Sequence, residues 1–164
     1  MNKTDYTSKE ILVSRKNLLN QYGFSLVELI VVVALISILA AIAIPYYQGF
    51  TEKARTARCI AEIRNIEFEI SSYIIDNGSL PDSLAQLGTS IVKDPFGSNY
   101  QYINLINHPG SEYIDFGANP LNDDYDLYSM GPDKASSQDL SQDNSQDDIV
   151  RGLDGGWIGT GSAW

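Results

Sequence analysis

The sequence predicts an α+β chain: a long N-terminal helix, its second half packed by a small antiparallel sheet, and an irregular C-terminal loop region. Three observations predict it. Residues 24–44 carry no charge except Glu28. Past Pro45, apolar residues recur at Phe50, Ala54, Ala57, Ile60, Ile63, Ile66, Ile70 and Tyr73 or Ile74, at helical steps of three and four. Glu52, Lys53, Arg55, Arg58, Glu62 and Arg64 fill the gaps. After about residue 100 the pattern shortens into Tyr-rich runs between Asn, Pro and Gly turn residues.

Taken in order, residues 1–23 are polar, basic and rich in Asn and Ser, and are set aside as a leader. The apolar run Phe24–Ile44 is 21 residues long, roughly 31 Å as a helix, against a bilayer core of roughly 30 Å. It reads as a single membrane span. Glu28 is the anomaly: a carboxylate at that depth costs about 2.5 kcal/mol or more, so a partner is expected. The plainer alternative is a charge that snorkels from the helix start. Pro45 removes one backbone hydrogen bond and is expected to bend the helix near the membrane exit. An ordinary secretory signal cut after Ala41-Ile42-Ala43 is the rival reading. The length of the run, Glu28 and Pro45 disfavour it.

The amphipathic half should end near Asn77, where Gly78 suits a left-handed stop. A short second helix follows, from Asp82 or Ser83 to Leu87, ended by Gly88. Strands are expected at Tyr100–Ile106 and Tyr113–Phe116, flanking the turn Asn107-His108-Pro109-Gly110, and at Tyr125–Met130. Three Ser-Gln-Asp triplets, at 137–139, 141–143 and 145–147, make a tandem repeat too polar to be buried. The glycine-rich tail with Trp157 and Trp164 reads as irregular with an aromatic anchor.

Composition narrows the function. The net charge is −10; Lys3, Lys9, Arg15 and Lys16 against Asp5 and Glu10 leave −12 on the remainder. Such a product should avoid nucleic acid. Cys59 is the only cysteine, so no intrachain disulfide can form, and it reads as a small buried or half-buried residue. His108 is the only histidine and sits in a turn. Without a G-x-S-x-G, CxxC or HExxH pattern, the residues argue against an enzyme.

The stretch Gly23-Phe24-Ser25-Leu26-Val27-Glu28-Leu29 and its apolar continuation resemble the leader junction of type IV pilins and of type II secretion pseudopilins. The resemblance implies a type IV pilin-like fold, cleavage after Gly23 and methylation of Phe24 by a prepilin peptidase/methyltransferase. Glu28 and Pro45 fall on the family's assembly positions. The implied domains are a leader, 1–23, a transmembrane and polymerisation helix, 24–45, and a periplasmic head, 46–164. Asp94–Tyr102 and Asp126–Asp133 are similar to two signatures of the major pseudopilin, the first usually carrying tryptophan for Phe96.

By that resemblance the head binds Ca2+ through Asp133, Asp148 and the carbonyl of Met130, with Asp147 as a substitute or second ligand. Carboxylates gathered in one loop repel unless a hard cation holds them. The Ser-Gln-Asp repeat replaces the family's glycine-rich loop, and a solvated acidic loop is the alternative. Asn122, Asp124 and Asp126 mimic the start of an EF-hand, but Leu127 stands where that loop needs glycine.

The implied function is a structural subunit that homopolymerises into a pseudopilus helping folded proteins across the outer membrane. Its partners would be itself, minor pseudopilins, the inner-membrane assembly platform and the membrane. The alternatives are a type IV pilin for adhesion or motility, and a membrane-anchored calcium-binding domain. Lys53, Arg55 and Arg58 balance the basic leader, so charge does not set orientation. The resemblance does: a single pass through the inner membrane, head in the periplasm.

Overall fold

One helix, α1, spans Leu26–Asn77, 52 residues with Pro45 inside it. The structure, a computed structural model, describes residues 23–88 and 93–164; all of the expected leader but Gly23 lies outside the described residues. The chain divides into two units, residues 1–47 and 48–164. In the first, apolar side chains from Leu26 to Ile44 stand exposed on every side of the helix. In the second, α1 buries Cys59, Ile63 and Ile70, with Ile60 and Ile66 half-buried beside them. Phe50, placed on the stripe by its spacing, is 67% exposed. The stripe begins only at Cys59, where the short strands of the head reach the helix. The helix stops where expected, with Gly78 left-handed at φ +76 and its N–H donating to the Ile74 carbonyl at 2.8 Å.

Four antiparallel strands form one sheet in chain order: β1 (Gln101–Asn104), β2 (Tyr125–Ser129), β3 (Ile149–Gly152) and β4 (Trp157–Thr160). Gln101 lies opposite Tyr128, Ser129 opposite Ile149, and Ile149 opposite Thr160. Side chains alternate across the sheet. Tyr125, Leu127 and Ile149 join the α1 stripe, while Tyr128 and Val150 join Tyr113, Leu121 and Leu140 in a second cluster. The sheet is therefore covered on both faces, which is why β2 is buried along its whole length.

The structure departs from the sequence reading in four places. Tyr113–Phe116 is not a strand: only Ile114 bridges, to Pro120 and Asp139. The Asn104 side chain ends β1 by accepting from the N–H groups of Ile106 and Asn107, and the Tyr113 N–H donates to Asp126 rather than to β1. The Ser-Gln-Asp repeat is not wholly solvated, because its fourth position at Leu140 is fully buried. The expected second helix is a 3-10 turn, Leu84–Leu87, ended by left-handed Gly88. The glycine-rich tail is two strands, β3 and β4, with Trp157 and Trp164 packed edge to face at 5.0 Å.

Candidate functional site

At its N-terminus α1 begins with a reciprocal cap. Ser25 Oγ accepts from the Val27 N–H at 3.2 Å, and Glu28 Oε2 accepts from the Ser25 N–H at 2.9 Å. This is a capping box, and it sets a negative charge against the positive end of the helix dipole. Glu28 thus has a partner inside its own chain. The Ser-x-x-Glu spacing announces that cap, and the sequence reading passed over Ser25. Gly23 and Phe24 are exposed ahead of it. Farther along, Ser37 Oγ donates to the Val33 carbonyl at 2.7 Å, so this mid-span hydroxyl is satisfied by its own helix. Pro45 lies within α1 and donates no backbone hydrogen bond. The helix is long and apolar enough to cross a membrane.

The acidic loop is organised by the pairing of β2 with β3. Ser129 opposite Ile149 sets Met130 against Asp148 and Gly131 against Asp147 when the register is carried one and two residues further. Gly131 is left-handed at φ +61, and a Cβ there would collide with the main-chain carbonyl of Asp147. Asp147 Oδ2 accepts from the Asp133 N–H at 3.1 Å, while Asp133 Oδ1 accepts from the Ala135 N–H at 2.8 Å.

Asp148 is fully buried. Tyr113 O–H donates to its Oδ2 at 2.5 Å, and its Oδ1 has no hydrogen-bond partner. Burial pushes its carboxyl up to about 6 against the hydrogen bonds of Ser136 and Tyr113, with Asp147 and Asp133 adding to the rise. Among the described residues no three acidic, cysteine or histidine side chains converge tightly enough to hold a metal by themselves. What is brought together is one buried, half-satisfied carboxylate, two neighbouring aspartates and a facing main chain. All the donors are oxygen, the set a hard cation takes.

A second polar cluster went unread in the sequence. Arg151 of β3, buried, donates from Nε to Glu67 of α1 at 2.7 Å and with both terminal nitrogens to Asp124, at 2.7 and 2.9 Å. It also reaches the Asn122 side chain and the Tyr125 carbonyl and stacks 3.9 Å from the Tyr125 ring centre. Burial opposes its charge, but Asp124, Tyr125 and Glu67 outweigh that and raise its pKa above the ordinary value. The EF-hand mimic is thereby explained: Asp124 serves Arg151, and Asp126 accepts from Asn122 and from the Tyr113 N–H. Cys59 is buried as expected, and burial lifts its thiol to about 11, leaving it unreactive.

The sequence matches two family models: the prokaryotic N-terminal methylation motif over residues 18–44, and type II secretion system (T2SS), protein G over residues 47–150. It is 25% identical over 124 residues to a type II secretion system core protein G of Dickeya chrysanthemi, covering 63% of this chain and 81% of that one. It is 31% identical over 87 residues to a fimbrial protein of Neisseria meningitidis, covering 53% and 51%. With a fimbrial protein of Pseudomonas aeruginosa it shares 41% identity over 63 residues, covering 38% and 41%. The chain thus spans about half of the length of the first of these fimbrial relatives and about two fifths of the second. No solved structure matches it.

A long N-terminal helix, apolar in its first half, that leads into a small α+β head is the type IV pilin-like fold, a class of structural subunits rather than of known enzymes. Within that class the chain belongs to the type II secretion system protein G family.

Proposed function

We propose that this chain is a structural subunit of a type II secretion pseudopilus. It is cut after Gly23, methylated at Phe24 and held by one span in the inner membrane, with its head in the periplasm. It then assembles by packing its N-terminal helices into a short filament that helps folded proteins across the outer membrane. The observation that carries this is the first half of α1: none of it is buried within the chain. Such a surface must be covered by lipid or by other helices. Lipid covers it before assembly and neighbouring subunits cover it afterwards, so the work is assembly and not catalysis.

Intact mass of the protein from its native host tests the processing step. A chain beginning at N-methylated Phe24 supports it, and one beginning at Met1 or Ile44 removes it. Calcium binding belongs to the same proposal. Asp148, Asp133 and the Met130 carbonyl, with Asp147 beside them, would hold the ion, which would satisfy the orphaned Asp148 Oδ1 and neutralise the repulsion among the aspartates. Calorimetric titration of the head with Ca2+ reads this directly, and an Asp148→Asn chain that binds as tightly as the original would exclude the site.

A further inference from the structure

Charge along the exposed length of α1 in the head is segregated. Lys53, Arg55, Arg58 and Arg64 outnumber Glu52 and Glu62 in its lower part, and no Lys, Arg or His occurs from there until Lys93. The upper part and the turn after it carry Glu67, Glu69, Asp76 and Asp82. Each part borders a cleft. The lower one, about 540 Å³ and open, is lined by Arg55 and Lys134 over Phe96 and Pro132, with Glu52 also in its wall. The upper one, about 460 Å³, is lined by Asp76, Glu69, Tyr73 and Phe68.

Arg58, Arg64 and Arg151 make ion pairs within the chain. Among the described residues Arg55, Lys134 and Asp76 make none. Phe68 and Ile75, one heptad apart beside the upper cleft, are 73% and 84% exposed. In a molecule whose part beyond the leader carries twelve net negative charges, a cleft presenting Arg55 and Lys134 without ion pairs, against the single carboxylate of Glu52, beside a phenylalanine and a proline suits an acidic, partly apolar occupant.

We propose that this occupant is the upper end of α1 of a second copy: Arg55 and Lys134 of one subunit receive Asp76 and the adjoining Phe68 surface of another. The proposal rests on the filament reading above and names a head contact within it. Arg55 and Asp76 are 21 residues apart in α1, roughly 31 Å and close to six turns. A copy displaced by that distance along the helix, and rotated about the filament axis, brings the unlike surfaces to one level. Because the two surfaces differ, the contact is heterologous, and repeating it produces an open helical array and not a closed dimer. An anionic lipid headgroup would satisfy the same cations, but it would leave the acidic cleft and Phe68 without a counterpart.

The test is a cross-link in assembled material. The full chain carrying Arg55→Cys and Asp76→Cys is expressed with its peptidase and assembly machinery, and sedimented polymer is treated with a short bismaleimide; both positions are exposed, whereas native Cys59 is buried. A ladder of multimers from the double variant, with neither single variant going beyond a monomer, is the expected result. In parallel, Arg55→Asp should lower sedimentable polymer about fivefold, and adding Asp76→Arg should restore most of it. Sedimented polymer without a ladder overturns the contact and leaves the filament reading standing. Failure of the unsubstituted chain to form any sedimentable polymer overturns both. Binding of the head to phosphatidylglycerol vesicles that Arg55→Asp abolishes, with no ladder, would assign the cleft to lipid and also overturn the contact.

Discussion

Residues 26–44 and 59–70 belong to one helix and use similar side chains, yet they answer to different solvents. In the first stretch Leu, Ile and Val point in every direction and stay exposed, from 45% at Val32 to 72% at Leu26. In the second, Cys59, Ile63 and Ile70 are completely buried under the sheet, while Arg58 and Glu62 pair on the outside. Helix propensity does not distinguish them. What differs is where the covering surface comes from: the head supplies its own for 59–70, and for 26–44 it must come from a bilayer or from neighbouring helices.

That contrast is broken most sharply by paired truncations. Ile63→Ala should cost the head about 2–5 kcal/mol through lost burial and a residual cavity. Ile36→Ala should leave head unfolding within about 0.5 kcal/mol of the original. Urea unfolding followed by the fluorescence of Trp157 and Trp164, both packed against the second cluster, measures both in one assay. An equal loss from the two would mean that the head leans on the span.

The ionic contacts sharpen the same comparison within the head. Arg151→Met leaves Glu67 and Asp124 without their shared, buried cation, a loss of about 3 kcal/mol. Arg64→Met removes a surface pair to the same Glu67, and the expected loss is below about 1 kcal/mol. Thermal melting of the two variants should separate them by several degrees.

Asp148 makes the stability of the head depend on pH. Its folded pKa, about 6, lies above the unfolded value, so the folded state holds the proton more tightly. In chelator, the Asp148 contribution to stability should therefore be fully present below about pH 4, be lost as pH rises from about 4 through 6, and level off above, by about 3 kcal/mol at most. Asp148→Asn should flatten that slope. Under the proposed calcium site the ion would compete with the same proton, so added Ca2+ should restore stability above pH 6 and have little effect near pH 4.

The long helix, its end at Gly78 and the strand beginning at Tyr125 were legible because each rests on a local signal: periodicity, a left-handed glycine, alternation of side chains. β3 and β4 were not. Their glycines read as breakers, but Gly152 and Gly159 make room for indoles: a Cβ at the first would strike Trp164 and at the second Trp157. Arg151 was missed for a related reason, since a lone arginine among glycines gives no hint of partners 27 and 84 residues away. The buried Leu140 was hidden by the polarity of the repeat around it. At the candidate metal site, aspartates carried over by resemblance fall at the β2–β3 end, but their facing depends on a strand that the pattern did not reveal.

The smallest effect bears on the uncovered half. Glu28 accepts from its own helix cap, and in the proposed filament, after cleavage at Gly23, it would pair instead with the Phe24 amine of a neighbouring subunit. Ser25→Ala removes the hydroxyl half of the cap and keeps the carboxylate, at a cost of about 1 kcal/mol in the first turn. Glu28→Ala removes both roles. If the carboxylate matters to assembly, Ser25→Ala should be cleaved and should polymerise nearly as the original does, while Glu28→Ala is cleaved but yields little sedimentable polymer. If the two variants lose polymer to the same degree, the cap alone accounts for Glu28, and axial register must be set elsewhere along the helix.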